Sequence, residues 1–314
     1  MANMTTTAVL PPAVREYYDR LLLMTAFPQL VHTKFAQKRS LPKKMGDRIV
    51  FRRYNRLATV TVPLQDGITP PATPLSADDI VAQVDFYGNY VIITNQVELT
   101  VEDQVLNEAT LLLSQNMGQT VDEVTRDVLA SGATSILCSN GTNGSTPTEL
   151  TKADIDSVVQ SLLTNNAMMI TDVIPAGKDF STAAVRPSFM GIIDTALLDD
   201  LEDVSNFLSS SNYPSQQPVM EYEWGSTGNV RWVYTSVGSK SSASPVVYDN
   251  FIIAKEAYGV VNLGSDKGEF YVEPLGSAGA ADPLHQRGSV GWQHPFTSRI
   301  LNDTFLYNLM ATHS

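Results

Sequence analysis

The residues that could carry out acid–base or metal chemistry are few and scattered along this 314-residue chain. The four histidines form no HxxxH or HExxH pair, and they are His32, His285, His294 and His313. Asp282, His285 and His294 could approach one another as metal ligands, but their spacing matches no standard metal site. The single cysteine, Cys138, can form neither an internal disulfide nor a CxxC site, so we expect it to be a small buried side chain.

Standard catalytic motifs are absent from the sequence. It contains no GxSxG nucleophile elbow, no GxxxxGKS/T phosphate loop and no GxGxxG after a strand. An acidic run, typical of a solvated helix face, consists of Asp199, Asp200, Glu202 and Asp203. Because catalysis needs a nucleophile, a base and a stabilising group in one place, we expect a protein that is not an enzyme and needs no cofactor or metal. A hydrolase whose carboxylates come from distant segments stays an alternative.

The formal net charge of −12 argues against nonspecific binding to nucleic acid, because phosphate contacts need clustered Lys and Arg. An acidic wall can still enclose nucleic acid and leave it mobile. Only 17% of the residues are charged, which suits a protein that buries much of its surface against other subunits. We expect synthesis in a reducing cytoplasm, since no apolar run reaches a membrane span and the N-terminus lacks the order of a signal peptide.

The first 45 residues are predicted to form an extended arm that carries a short helix. The helix would begin at Pro11-Pro12 and end before Pro28, because proline cannot continue a helix. A basic run follows between residues 34 and 44 and includes Lys38 and Arg39. Such a run could touch nucleic acid, but in an acidic protein we favour contact with an acidic neighbouring subunit.

Residues 46–95 are predicted to form a long β-hairpin-like loop. Its first limb, Asp47 to Val62, and its return limb, Ile80 to Thr94, are rich in β-branched and aromatic residues. Its tip, residues 62–71, is full of turn residues and cannot continue a sheet. One face of the first limb, at a period of two, consists of Arg48, Val50, Arg52, Tyr54 and Arg56. Because an isolated two-stranded ribbon is only marginally stable in water, this loop needs another surface to lie on.

Thr100 to Ser131 has the strongest helical pattern, with apolar residues recurring three and four positions apart. A helix of this length spans roughly 45–50 Å, which is more than a small domain needs. A second helix is predicted from Thr151 to Asn165. Further strands are predicted at Phe189–Asp194, Val230–Val237, Pro245–Ala257, Tyr258–Leu263 and Phe270–Glu273, and further helices at Thr195–Leu208 and Ile300–Met310. Together these elements predict an α+β fold.

Five segments in a fixed order carry a family resemblance. They are Met45–Phe51, Thr120–Leu129, Ala254–Gly259, Asp282–Trp292 and Arg299–Asp303. In this order and spacing they resemble the N-four-type family of tailed-phage major capsid proteins, a branch of the Hong Kong 97-type capsid fold. The resemblance covers nearly the whole chain.

The resemblance implies a Hong Kong 97-type major capsid fold with an N-terminal arm, an extended β-hairpin loop, a peripheral domain with a spine helix, and an axial domain. The resemblance implies the N-terminal arm at residues 1–45 and the extended loop at 46–95. It implies the peripheral domain at 96–149, with the spine helix at 100–131, and the axial domain at 150–258. The chain would then return to the peripheral domain at 259–314. It further implies a homo-oligomer of hexamers and pentamers in an icosahedral shell that encloses double-stranded DNA. The implied partners are portal, scaffold and decoration proteins, and no contact with a membrane is implied. The protein would be synthesised in the host bacterial cytoplasm and would end in the virion capsid.

The basic residues of the arm and the loop are the candidate inter-subunit contacts. We expect acidic surface of a neighbouring subunit to meet Arg48, Arg52, Arg53, Arg56, Lys38 and Arg39. Individual exposed ion pairs contribute only about 0–1 kcal/mol, but symmetry repeats them around each ring of subunits. Replacing Arg52 and Arg56 with Glu is expected to impair shell formation and to leave the monomer folded.

Two other functions stay open besides the enzyme. An encapsulin-like compartment shell shares the fold and carries cargo enzymes instead of DNA. A phage tail or adhesion protein would also be rich in β-structure, Ser and Thr, although the long amphipathic helix argues against it.

Overall fold

The computed structural model describes residues 28–42, 46–67, 69–95, 105–175, 184–215, 219–242, 244–263, 268–273, 283–284 and 286–313. The expected N-terminal helix lies outside these residues, as do Thr100 at the start of the long helix and both Asp282 and His285. Within the described residues the chain is a mixed α+β structure, as predicted.

The strands in chain order are β1 Gln37–Leu41, β2 Arg48–Tyr54, β3 Ala77–Gln83, β4 Asp85–Thr94, β5 Thr134–Leu137, β6 Phe189–Asp194, β7 Phe207–Ser209, β8 Glu223–Thr227, β9 Val230–Thr235, β10 Val247–Ile253, β11 Tyr258–Leu263, β12 Glu269–Glu273, β13 Arg287–Ile300 and β14 Leu306–Thr312. The α-helices are α1 Val105–Gly132, α2 Lys152–Thr164 and α3 Leu198–Asp203. Short 3₁₀ turns cover Thr195–Leu197, Ser210–Asn212 and Asp303–Phe305. None of the described helices combines the length and the apolarity needed to cross a membrane.

A seven-stranded sheet, in the order β5-β14-β10-β6-β9-β8-β7, holds the largest core. Successive side chains of a strand point to opposite faces, and β6 is buried on both. Phe189 and Ile193 belong to the apolar cluster that contains α2, whereas Met190 and Ile192 belong to the cluster that contains the end of α1. The sheet is therefore covered by α2 on one side and by α1 with residues 31–36 on the other.

Helix α1 joins two parts of the molecule. It has 28 residues and is about 42 Å long at 1.5 Å per residue. Ala109 and Leu113, in its first half, pack with Trp292 of β13, whereas Leu129, near its end, packs against the seven-stranded sheet. The prediction of a long helix is confirmed for residues 105–131, and the helix continues without a break through Gly118.

A second sheet has five strands and is organised around the 14-residue strand β13. Phe296 pairs with Asn262 of β11 on one edge and with Asp85 of β4 on the other. Gln293 likewise pairs with Glu269 of β12 on the first edge and with Gly88 of β4 on the second. Strands β11 and β12 therefore follow one another along one edge of β13, β4 occupies the opposite edge, and β1 completes the sheet beside β11.

The predicted long hairpin is divided in the structure. β2 and β3 pair with each other, but the return limb changes partner at Val84, and β4 pairs with β13 instead of with β2. Val84 is buried, and its N–H donates to the carbonyl oxygen of Asp47 at 2.9 Å. Phe51 and Ala82 pack with Val84 in an apolar cluster at the base of the hairpin, so only the part beyond this cluster projects away.

The helix predicted at Ile300–Met310 is wrong. The chain forms a 3₁₀ turn and then strand β14, which pairs antiparallel with β10 along its whole length and parallel with β5. Leu306, Leu309 and Ala311 are completely buried. Two neighbouring strands offer β14 hydrogen bonds on both edges, and this long-range pairing outweighs a helical spacing of apolar residues.

The helix predicted at Thr195–Leu208 is too long. After α3, Val204 adopts an extended conformation and Asn206 has φ 69°. Asn tolerates this left-handed conformation better than most residues, and it turns the chain into the edge strand β7. The acidic run of this segment does lie mainly on a solvated helix face, as predicted, with Asp199, Glu202 and Asp203 exposed.

Candidate assembly surfaces

The outward face of β2 has the composition that the sequence predicted. Phe51 points into the core at the base of the hairpin, whereas Arg48, Val50, Arg52 and Tyr54 are exposed. This confirms the period of two, since alternate residues of a strand share a face. The hairpin thus presents a mixed apolar and basic surface on an otherwise acidic protein.

Two of the six candidate contact residues are already paired within the hairpin. Arg52 lies opposite Asp79 and donates from Nε and Nη2 to the two carboxylate oxygens at 2.8 and 2.9 Å. Arg53 lies opposite Asp78 and donates to it at 3.3 Å. The hydrogen bonds from Arg52 hold the pKa of the Asp79 carboxyl below its usual value. These arginines therefore stabilise the pairing of β2 with β3, whatever they contact in an assembly.

The other candidates are more available to a partner. Lys38, Arg48 and Arg56 are exposed and form no ion pair within the described part of the chain. Arg39 lies over the ring of Phe51, with its guanidinium carbon 4.7 Å from the ring centroid. Arg48 and Arg56 are consequently the hairpin residues whose charge has no counterpart among the described groups. That any of the six contacts a neighbouring subunit stays a prediction.

The tip segment, defined from here on as residues 55–76, packs little against the described residues of its own chain. Every described residue in it is exposed, including Val60, Val62, Leu64 and Leu75. Its sequence holds four prolines and only two charged residues, Arg56 and Asp66. Such a segment gains nothing from hydrophobic burial in the isolated chain, so it must either remain in water or pack on another molecule.

A buried polar group that the sequence did not predict ties residues 28–42 to α1. His32 and Asp122 are each 1% exposed, the backbone N–H of His32 donates to Asp122 Oδ1 at 2.8 Å, and Nδ1 lies 2.7 Å from Oδ2. The hydroxyl of Tyr258 donates to the carbonyl oxygen of His32. Burial raises the pKa of the Tyr258 hydroxyl well above its usual value, so it remains a donor. These residues are too far apart in sequence for any local pattern to reveal them.

A second buried group lies near the edge of the seven-stranded sheet. Arg231 on β9 donates to both carboxylate oxygens of Glu223 on β8, with Nε 2.6 Å from Oε1. Tyr213 donates its hydroxyl to the same oxygen of Glu223 at 2.9 Å. An ion pair shielded from water in this way fixes how the edge of the sheet is arranged, and no ligand is needed to explain it.

A concave surface of about 710 Å³ lies between the base of the hairpin, the end of α1 and the end of β13. Its charged side chains are arginines and aspartates, including Arg53, Asp78 and Asp303. It has no histidine or cysteine to act as a base or nucleophile among the described residues. Within those residues no group of three or more His, Cys, Asp or Glu side chains is arranged to hold a metal ion.

No protein-family model and no curated protein matches this sequence. Solved structures do match over the full length. The capsid asymmetric unit of cyanophage Pam1 is similar at a TM-score of 0.66 and 14% identity, over 100% of both chains. The chain has a phage capsid fold.

Two further capsids extend this comparison. The capsid of cyanophage P-SCSP1u matches at a TM-score of 0.66 and 13% identity, over 100% of this chain and 97% of the other. The capsid of Ralstonia phage GP4 matches at a TM-score of 0.66 and 11% identity, over 99% and 98%. Coverage is almost complete in both directions, so the similarity is not confined to one part of the chain.

Proposed function

We propose that this chain is the major capsid protein of a tailed bacteriophage, which assembles as hexamers and pentamers into an icosahedral shell around double-stranded DNA. The observation that carries the proposal is the full-length phage capsid fold, at TM-scores of up to 0.66. Fold alone does not fix function, so the surface of the chain must also suit a shell. Three features of the chain support the proposal.

The first feature is the hairpin. Its tip is exposed throughout the described residues, and a natural protein seldom maintains a long apolar projection in water without a surface to cover it. A shell supplies such a surface on every neighbouring subunit. The buried cluster around Phe51 holds the base of the hairpin, so the projection has a defined root on its own subunit.

The second feature is the way α1 spans the chain. Its first half packs on the five-stranded sheet and its end packs on the seven-stranded sheet. We assign α1 as the spine helix of a Hong Kong 97-type subunit in the N-four-type family, the five-stranded sheet as the peripheral domain, and the seven-stranded sheet, mostly from residues 150–258, as the axial domain. β14 pairs with β10 and with β5 in this sheet, so we propose that the return at 259–314 contributes to both domains.

The third feature is charge. The net charge of −12 makes tight binding to DNA unfavourable, and a container benefits from walls that do not hold its contents. In a phage the shell would enclose DNA without sequence-specific contacts. The proposed partners are further copies of the chain, a portal, a scaffold and decoration proteins, with synthesis in the bacterial cytoplasm and a final location in the virion capsid.

Negative-stain electron microscopy of the protein expressed alone, with sedimentation of the same sample, tests the proposal. Closed shells, rings of subunits or tubes are expected. The ratio of nucleic-acid absorbance to protein absorbance is then measured for particles purified from infected cells. A high ratio indicates a DNA-filled virion, and a low ratio indicates a compartment shell that holds a cargo enzyme. A chain that remains monomeric even when co-expressed with the neighbouring genes of its phage would contradict the proposal.

A further inference from the structure

The loop between β5 and α2 contains both Asn-Gly dipeptides of the sequence, Asn140-Gly141 and Asn143-Gly144. Both asparagine side chains are exposed to water. An asparagine that precedes glycine is prone to deamidation, because glycine has no side chain to hinder attack by its own backbone nitrogen. Each dipeptide is therefore a candidate site of chemical modification, and the structure restrains the two in different ways.

The reaction at an Asn-Gly dipeptide needs no enzyme and consumes one water. The backbone N–H of the glycine loses its proton to water or hydroxide, and the nitrogen then forms a bond to the side-chain Cγ of the asparagine. The side-chain amide nitrogen leaves as ammonia after it takes a proton from water, and a succinimide ring remains. Water opens this ring to aspartate or isoaspartate. The reaction therefore requires a glycine N–H that can lose its proton and a backbone that lets the nitrogen reach Cγ.

At Asn140-Gly141 the attacking nitrogen is bound to a buried carboxylate. The N–H of Gly141 donates to Asp154 Oδ1 at 2.7 Å, and Asp154 is 1% exposed. The same oxygen accepts from the N–H of Ser139 at 3.1 Å. Hydrogen bonds to a charged group are stronger than neutral ones, and a negative charge beside the N–H opposes the loss of its proton. This bond must break before the nitrogen of Gly141 can react.

The backbone of the same dipeptide is also fixed in a tight turn. Asn140 has φ 52° and Gly141 has φ 88°, and the N–H of Thr142 donates to the carbonyl oxygen of Ser139 at 3.4 Å. Two successive positive φ values with this hydrogen bond describe a type I′ turn. Gly141 also lies against α2, where a Cβ at Gly141 would be 3.0 Å from Ala153 Cβ. The peptide group is therefore held in place unless the turn opens.

Asn143-Gly144 is held by a different part of the chain. Asn143 Oδ1 accepts from the N–H of Leu137 at 3.0 Å, and the N–H of Gly144 donates to the carbonyl oxygen of Leu137 at 3.2 Å. Leu137 is the last residue of β5. Neither bond involves Asp154, so the second dipeptide is an internal control for the first within one loop.

We propose that Asn140 is a deamidation site at which the carboxylate of Asp154 suppresses the reaction in the folded protein. Asp154 Oδ2 accepts from the N–H and the hydroxyl of Thr151, so the carboxylate that caps α2 also protects the loop. Isoaspartate at position 140 would add one atom to the backbone of the turn and would displace the N–H of Gly141 from Asp154. The inference does not depend on the proposed capsid function.

Mass spectrometry of the full chain measures the reaction at each asparagine. The native protein and the same chain in guanidinium are incubated at pH 8, and fragment masses report the conversion of Asn140 and Asn143 with time. We expect native Asn140 to react roughly tenfold to a hundredfold more slowly than Asn140 in the denatured chain, which is the range for a hydrogen bond to a charged group. Equal rates in the two states would overturn the proposal.

Asp154→Asn tests the role of the carboxylate, because it removes the charge and one acceptor oxygen at nearly constant size. We expect the native rate at Asn140 to rise about tenfold and the rate at Asn143 to stay at its wild-type value. Thr151→Val, which removes the hydroxyl that caps α2 and keeps the carboxylate, is the matched control and should leave both rates unchanged. The proposal is wrong if Asp154→Asn accelerates neither dipeptide or both equally, or if Thr151→Val accelerates Asn140 as much.

Hydrogen exchange gives a second readout that needs no variant. The N–H of Gly141 exchanges only when its bond to Asp154 opens, so its protection factor should match the factor by which folding slows deamidation at Asn140. A well-protected N–H at Gly141 beside a fast-reacting Asn140, or the reverse, would contradict the proposal even if Asp154→Asn failed to fold.

Discussion

His32 is joined to Asp122 by two contacts that are buried from water, its backbone N–H at 2.8 Å from Oδ1 and its Nδ1 at 2.7 Å from Oδ2. Asp122 lies near the middle of α1, and His32 lies in the segment that leads to β1. The pair therefore fixes the path of the N-terminal described residues over the helix and beside the ring of Phe251. Its removal should loosen that segment before it affects the rest of the chain.

We predict that Asp122→Ala lowers the free energy of unfolding by about 2–5 kcal/mol, because it leaves two buried polar groups of His32 without an acceptor. Thermal and denaturant unfolding measure the loss, and hydrogen exchange at residues 31–36 locates it. Asp127→Ala, on the exposed side of the same helix, is the matched control and should change stability by less than about 1 kcal/mol. Equal effects of the two substitutions would show that the buried pair has no special role.

The Glu223–Arg231 pair should be important for the edge of the seven-stranded sheet. Glu223→Gln leaves the buried guanidinium without its anion, and we expect a cost of about 3–5 kcal/mol. Asp156→Asn, which breaks the exposed pair with Lys152 on α2, should cost less than about 1 kcal/mol. Urea denaturation compares the two midpoints, and a Glu223→Gln midpoint as close to wild type as that of Asp156→Asn would refute this prediction.

The in-chain pairing of Arg52 changes the choice of residues for a charge-reversal test. Arg48→Glu with Arg56→Glu should impair particle formation and leave the thermal unfolding midpoint of the monomer unchanged, because neither side chain has an ion pair among the described residues. Arg52→Glu alone should weaken the hairpin itself, since it places two carboxylates opposite each other on β2 and β3. Sedimentation measures assembly, and hydrogen exchange at residues 77–83 measures the hairpin. Particles of normal yield from the Arg48/Arg56 variant would remove these two arginines from the list of contacts.

Cys138 should be unreactive in the folded protein. Burial, with a smaller effect of Asp154, raises the pKa of its thiol to about 12, and the thiolate is the reactive form. We expect almost no labelling by a thiol reagent at pH 8 and complete labelling in denaturant. The pKa of the Cys138 thiol is higher in the folded protein than in the unfolded chain. The protonated thiol therefore favours folding at pH values below the pKa of the unfolded thiol, and this contribution to stability is lost as the pH rises from there toward 12. Rapid labelling of the native protein would contradict the buried position.

Local patterns in the sequence were enough to predict the helices α1 and α2 and the exposed face of β2. The three- and four-residue spacing of apolar side chains predicted α1. The helix-start signal around Thr151 predicted α2, and Thr151 with Asp154 forms the capping box there. The alternation in β2 correctly predicted a shared face that carries Arg48, Val50, Arg52 and Tyr54. The expected fold class came from the family resemblance, because the segments that resemble the family are spread over almost the whole chain.

Tertiary structure alone decided the rest, because hydrogen bonds between distant strands leave no local signature. β14 is a strand that pairs with β10 and β5 on its two sides, and β4 leaves the hairpin to pair with β13. The buried contacts of Asp122 arise in the same way. Residues that are 90 or more positions apart in sequence meet there, and only the folded backbone brings them within reach.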